Sequence, residues 1–223
     1  MVPASPTAVG RFPVVLVTGF DPFGGDAVNP SWQAAQALDG KWIAGHRIVA
    51  ASVPTVFDQS LHVLRGLLAT HRPQLVLCTG QAGGRAALSL ERVAINVNDA
   101  RIADNAQAQP VDTPVIAGGP AAYFSSLPIK AMLAALEAAG IRAEVSQTAG
   151  TFVCNHLFYG LMHELAKRKD LAGVRGGLIH VPWLPEQGQP SMRLADTIGG
   201  LEIAIDCALT TGTDIRKQAG ALN

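Results

Sequence analysis

Residues 14–31 read VVLVTGFDPFGGDAVNPS. Val14-Val15-Leu16-Val17-Thr18 is a continuous run of mostly β-branched residues, which predicts a strand buried on both faces. Gly19 to Gly25 is a loop rich in glycine and proline. Asn29-Pro30-Ser31 places a capping residue before a proline and predicts a helix running to about Leu38, ahead of Gly40. Strand, glycine loop and helix in that order open a βα unit.

The same alternation continues along the chain. Strands are expected at 46–53, 74–79, 88–97, 143–147 and 177–181. Helices are expected at 55–71, 128–139, from the 148–155 region to about Lys169, and 191–210, each with an apolar stripe at helical spacing. The segment 98–113 is polar and rich in turn formers, so it reads as a surface loop. The segment 115–128 is ambiguous. The pattern predicts an α/β fold: a three-layer α/β/α sandwich with a twisted, mainly parallel central sheet. In such sheets sites form beyond the carboxyl ends of strands, which singles out the loops 19–30, 80–85, 148–155 and 180–187.

Composition agrees with one sizeable core. The chain has 223 residues, 48% of them apolar and 15% charged, so disorder is excluded. We expect a loose N-terminal tail over residues 1–11 and a single domain over 12–223. Lysine plus arginine balances aspartate plus glutamate at 17 each, with no basic block, so neither nucleic acid nor an anionic membrane is an expected partner. No apolar run is long enough to span a bilayer. The three cysteines are widely spaced and form no metal-ligand pattern; they fit a reducing cytoplasm rather than a disulfide framework.

The stretch TAGTFVCNHLFYGLMHEL, residues 148–165, carries the first chemical candidate. Val153, Leu157, Leu161 and Leu165 share one helical face, which sets Cys154 in or just before the first turn. Unpaired N–H groups and the positive end of the helix dipole lie there, and both favour a thiolate. A buried packing role is the competing reading. Cys78, inside a strand, reads as core, and Cys207 as a packing or subunit-contact residue.

A thiol nucleophile needs a base, and the base needs an orienting partner. Of six histidines, His62, His71 and His163 lie on amphipathic helices, His46 begins a strand, and His156 is two residues from Cys154 and cannot face it on a helix. His180 ends a predicted strand ahead of a proline-rich loop, where an imidazole would be presented. Glu91 interrupts an apolar strand pattern, which is costly for a carboxylate without a partner. Pairing with His180 would explain it, as would an ion pair with Arg92 or Arg101; Asp21 and Asp99 are competing carboxylates. The loop 19–25 presents Phe20 and Phe23, which suit a flat, neutral ligand or else pack beneath the loop. The glycine loops GFDPFGG and GQAGGR could cradle phosphate, but neither fits a nucleotide-binding fingerprint.

Taken together, TGFDPFGG with NPSW, GQAGGR, ERVAIN with NDARI, GTFVCN and HVPWLPEQ resemble the pyroglutamyl peptidase I (pyrrolidone-carboxylate peptidase) family of cysteine peptidases, from about Val14 to Thr210. The departures are small: Ala103 stands where proline is common and Trp183 where phenylalanine is common. The resemblance implies removal of N-terminal pyroglutamyl (5-oxoproline) residues from peptides, through a Cys154-His180-Glu91 triad and a thioester. It implies Arg101 and the Cys154 backbone N–H as oxyanion donors, and a lactam pocket with Phe20 and Phe23 flanking the ring and Asn29 and Gln81 bonding its amide. It also implies a cytoplasmic homotetramer with neither cofactor nor metal. A nucleoside phosphorylase-like enzyme and a non-catalytic pyroglutamyl-peptide binder remain as other readings of the same loops.

Overall fold

Strand β1 (Val14–Phe20) forms at the centre of a seven-stranded sheet, and six of its seven residues are buried. The structure, a computed structural model, describes residues 12–220; the expected tail over 1–11 lies outside them. Beside β1 run β3 (His46–Val53) and β4 (Leu75–Gln81), both parallel to it. β2 (Trp42–Ile43) pairs antiparallel with β3 at one edge. β9 (Arg175–Val181) lies parallel to β4, and β5 (Leu88–Glu91) runs antiparallel to β9. β8 (Ala143–Ser146) completes the sheet, parallel to β5, giving the order β2-β3-β1-β4-β9-β5-β8. Four of its six pairings are parallel.

Alternate residues of the central strands feed two cores. Val15, Val17, Leu77 and Ile179 pack under α1 (Pro30–Leu38), α3 (Ile129–Ala138) and α5 (Leu194–Thr210). Leu16, Val76 and Leu178 pack on the opposite side under α2 (Gln59–His71) and α4 (Val153–Lys167). This is the expected three-layer sandwich. Each such side chain taken from water contributes roughly 1.5–3 kcal/mol, which is why the central strands carry apolar residues without alternation.

The opening βα unit closes tightly. Asn29 caps α1, its Oδ1 accepting from the Ser31 N–H at 3.0 Å, with Pro30 at the first helical position. The helix start sits so close to β1 that a Cβ on Gly19 would lie 2.5 Å from the Ser31 carbonyl oxygen and the Trp32 Cα.

Three expected elements differ. The helix expected from Thr55 begins only at Gln59, because the Thr55 N–H is held by Asp21 Oδ1 at 2.6 Å and Asp58 turns the chain at φ 30°. The strand expected over 88–97 is two strands in different sheets. Arg92 breaks it by donating its N–H to the Ser146 carbonyl while its own carbonyl accepts from Ser125. Beyond that break β6 (Val93–Ile95) pairs with β7 (Ala122–Phe124) over α4. The last helix starts at Leu194 rather than Ser191, since Met192 is bonded back to the Trp183 carbonyl.

Candidate active site

The carboxyl ends of β4 and β9 and the start of α4 meet at one point. Gly80 on β4 is directly opposite His180 on β9. A Cβ built on Gly80 would lie 2.7 Å from Cys154 Sγ and 3.4 Å from His180 Nε2. Thiol and imidazole therefore face each other across the bare backbone of Gly80. No hydrogen bond joins the two among the described residues.

The imidazole is held from behind. Ser89 on β5 is paired with His180, so Glu91 stands on the same face one repeat along and reaches the ring diagonally. His180 Nδ1 lies 2.7 Å from Glu91 Oε1, with the carboxylate fully buried and the histidine 4% exposed. A carboxylate accepts, so Nδ1 carries the proton and Nε2 is left with a lone pair toward the thiol. Neither Arg92 nor Arg101 pairs with Glu91; the arginine that does is Arg85, whose Nη1 donates to the same Oε1 at 2.6 Å.

Cys154 is the second residue of α4, and Phe152 at the cap offers no side-chain acceptor. The first-turn N–H groups are thus free of intrahelical bonds. The turn itself is tied down by Thr151, whose Oγ1 donates to the Asp99 carbonyl at 2.7 Å. Asn155 accepts from the Ile95 N–H and donates to the Ile95 and Val97 carbonyls, which fixes the helix start against β6.

The helix start was expected to favour a thiolate. Burial outweighs it: the Cys154 thiol is pushed up to about 12, with the Glu91 charge adding to the effect and Arg85 and the Cys154 N–H opposing it.

Around this centre the expected pocket residues separate into two groups. Phe23 is half-buried and forms an aromatic row with Phe152, 6.1 Å between centroids, and then Phe57, 5.4 Å further on. Phe20, by contrast, is 1% exposed and packs in the core beneath. Gln81 is presented by Asp26 and Gln187: its Nε2 donates to Asp26 Oδ2 at 2.9 Å, and its Oε1 accepts from Gln187 Nε2 at 3.2 Å. Asn29 is spent on structure, capping α1 and donating to the Asp21 carbonyl at 3.0 Å. Arg101 is exposed on the loop anchored at Asp99 and has no side-chain bond among the described residues. Phe152, Asp26 and Arg85 had no role in the sequence reading. The row GTFVC and the charge inside GQAGGR were the only signals available for Phe152 and Arg85.

His156, two residues along α4 from Cys154 and so unable to face it, is a buried structural residue. Its Nδ1 bonds Asn98 Oδ1 at 3.0 Å, and its ring packs edge-on to Phe57. Among the described residues no group of three or more histidines, cysteines or acids could hold a metal, and no helix is long and apolar enough to cross a membrane.

A sandwich that brings a thiol, an imidazole and a carboxylate together at its strand ends has the layout of a cysteine-type hydrolase. Comparison with known proteins gives the particular family. The family model described as pyroglutamyl peptidase matches residues 14–211. Pyrrolidone-carboxylate peptidase 1 of Ralstonia nicotianae is 58% identical over 216 residues, covering 95% of this chain and all of that one. The crystal structure of pyroglutamyl peptidase I from Bacillus amyloliquefaciens superposes with a TM-score of 0.90 at 49% identity, covering 93% of this chain and 100% of the other. A variant of pyrrolidone carboxyl peptidase from the hyperthermophile Pyrococcus furiosus gives 0.84 at 38% identity, over 88% and 98% of the two chains. The chain belongs to the pyroglutamyl peptidase family and is, with it, a cysteine-type peptidase.

Proposed function

We propose that this protein hydrolyses the peptide bond after an N-terminal pyroglutamyl residue, with Cys154 as nucleophile, His180 as general base and acid, and Glu91 as the group that orients the imidazole. The observation that carries the reading is the 2.7 Å contact of His180 Nδ1 with Glu91, which leaves Nε2 facing the Cys154 sulfur across Gly80. His180 takes the thiol proton as sulfur attacks the carbonyl, and the negative charge moves to the carbonyl oxygen. The Cys154 N–H and the Arg101 side chain are the donors assigned to that oxyanion. The C–N bond then breaks, the amine leaves with the proton from His180, and water cleaves the thioester to restore the thiol.

The substrate reading follows from the residues assigned to the pocket. Phe23 and Phe152, with Phe20 beneath, supply an apolar wall for a flat ring. Gln81 retains one N–H and one lone pair beyond its bonds to Asp26 and Gln187, a complement to the N–H and C=O of a lactam, while Asn29 holds the loop. A free N-terminal ammonium would lose its water there without a matching acceptor, so ordinary peptides are rejected. The deciding measurement is release of an arylamine from pyroglutamyl and prolyl derivatives. Turnover of the first alone supports the reading, and equal turnover of both overturns the pocket. The reading extends to a cytoplasmic homotetramer, which rests on the family resemblance and is tested by light scattering.

A further inference from the structure

We propose that Arg85 is a positioning residue of this site: its guanidinium clamps Glu91 to the turn that presents Cys154 and offsets, at the sulfur, the negative charge that Glu91 brings. The inference rests on the peptidase reading above and concerns a residue that neither attacks nor accepts a proton.

Glu91 poses a conflict. It is needed to hold the His180 ring, yet it is a fully buried carboxylate whose Oε2 has no partner. Among the described residues its one bonded atom is Oε1, shared by His180 Nδ1 at 2.7 Å and Arg85 Nη1 at 2.6 Å. When the imidazole is neutral, Arg85 is the one cation among the described residues bonded to this carboxylate, and a buried charge without compensation is strongly disfavoured. The carboxylate also opposes thiolate formation, since Glu91 pushes the Cys154 pKa upward while Arg85 draws it down. One cation thus allows the carboxylate to be present without penalising the nucleophile as much.

The contacts of Arg85 are also geometrically specific. Nη2 donates to the Thr148 carbonyl at 3.0 Å and Nη1 reaches Ser146 Oγ at 3.3 Å. Ser146 ends β8, and Thr148 opens the turn into α4. A planar fork can bond a carboxylate and a carbonyl at once, so a single side chain from the glycine loop after β4 sets Glu91 against the segment that delivers the thiol. The other ionisable groups facing this point are His180 from β9, Cys154 from α4, the buried Cys78 from β4 and, in the reading above, the exposed Arg101 of the loop anchored at Asp99. Two further charges are engaged elsewhere: Arg92 bonds Gln147, and Glu144 accepts from Ser89.

Two variants separate charge from geometry. R85Q removes the cation, so both limbs of the pH profile of kcat/KM on a pyroglutamyl arylamide, and the pH curve for alkylation of Cys154 by iodoacetamide, move to higher pH by about half a unit or more. R85K keeps the charge and loses the fork, so the limbs stay in place while kcat falls by roughly tenfold. A uniform rate loss in R85Q with unmoved limbs, or a wild-type rate in R85K, overturns the proposal and leaves Arg85 a loop staple. The R85K result decides alone if R85Q does not fold. Absence of pyroglutamyl turnover in the wild-type protein would sink the functional reading instead, and the alkylation curves would still report on Arg85.

Discussion

His180 and Glu91 are 89 residues apart in sequence, yet His180 Nδ1 and Glu91 Oε1 lie 2.7 Å apart in a place water barely reaches. The contact fixes the tautomer: Nδ1 is the donor, and Nε2 faces the thiol. Glu91→Gln keeps the shape and removes the charge that would stabilise an imidazolium. It should lower kcat by about 100-fold or more, with KM little changed. A rate within a factor of a few of wild type would show that the carboxylate does not serve the histidine.

Cys154→Ala should abolish turnover, by about a thousandfold or more, because the thioester cannot form without the sulfur. The half-buried side chain is small, so thermal unfolding should stay close to wild type. A Cys154→Ala rate close to that of wild type would remove Cys154 as nucleophile.

Gly80 is required by the geometry between thiol and imidazole. A methyl group there would sit 2.7 Å from Cys154 Sγ and 3.2 Å from His180 Cδ2, so both must move apart. Gly80→Ala should cost at least about tenfold in kcat, since displacement of a reacting group by a fraction of an ångström is expensive. Unchanged kcat would mean that the two groups do not work across this strand.

The Gln81 amide is oriented by Asp26 and Gln187 before any ligand arrives. Asp26→Ala frees the amide to rotate, and recognition of the lactam should weaken. The expected result is a rise in KM of about tenfold with a smaller change in kcat. A change confined to kcat would argue that this amide does not bind the substrate.

His156 makes stability depend on pH. Burial lowers its pKa to about 4 from an ordinary value of 6.5. Above about pH 6.5 both folded and unfolded forms are neutral and the stabilisation is fully present. As pH falls from about 6.5 toward 4, the unfolded chain takes up the proton first and stability is lost, by up to roughly 3 kcal/mol. Urea midpoints at about pH 7 and pH 5 test this. His156→Gln should be less stable than wild type at the higher pH and lose less on acidification; an equal loss in both proteins would place the acid sensitivity elsewhere.

The apolar runs 14–18 and 74–79, each followed by a glycine loop, were enough to predict an α/β sandwich, because a strand buried on both faces needs no alternation. Cys154 was legible as a residue in the first turn of a helix, since a repeat of three and four positions is local information. Sequence determined the inventory: which strands are central, which helix carries the thiol, and which histidine ends a strand. It could not set partners. The pairing of β5 antiparallel to β9 brings Glu91 to His180, and nothing within either segment encodes it. The break at Arg92 depends on carbonyl and N–H groups supplied by Ser146 and Ser125, far along the chain. The fate of Phe20 and Asn29, one in the core and one capping α1, and the ion pair of Arg85 with Glu91 were decided only when distant elements packed. Burial also pushes the Cys154 pKa up, against the pull of the helix start, because desolvation is a property of the packed whole and the helix dipole of one segment.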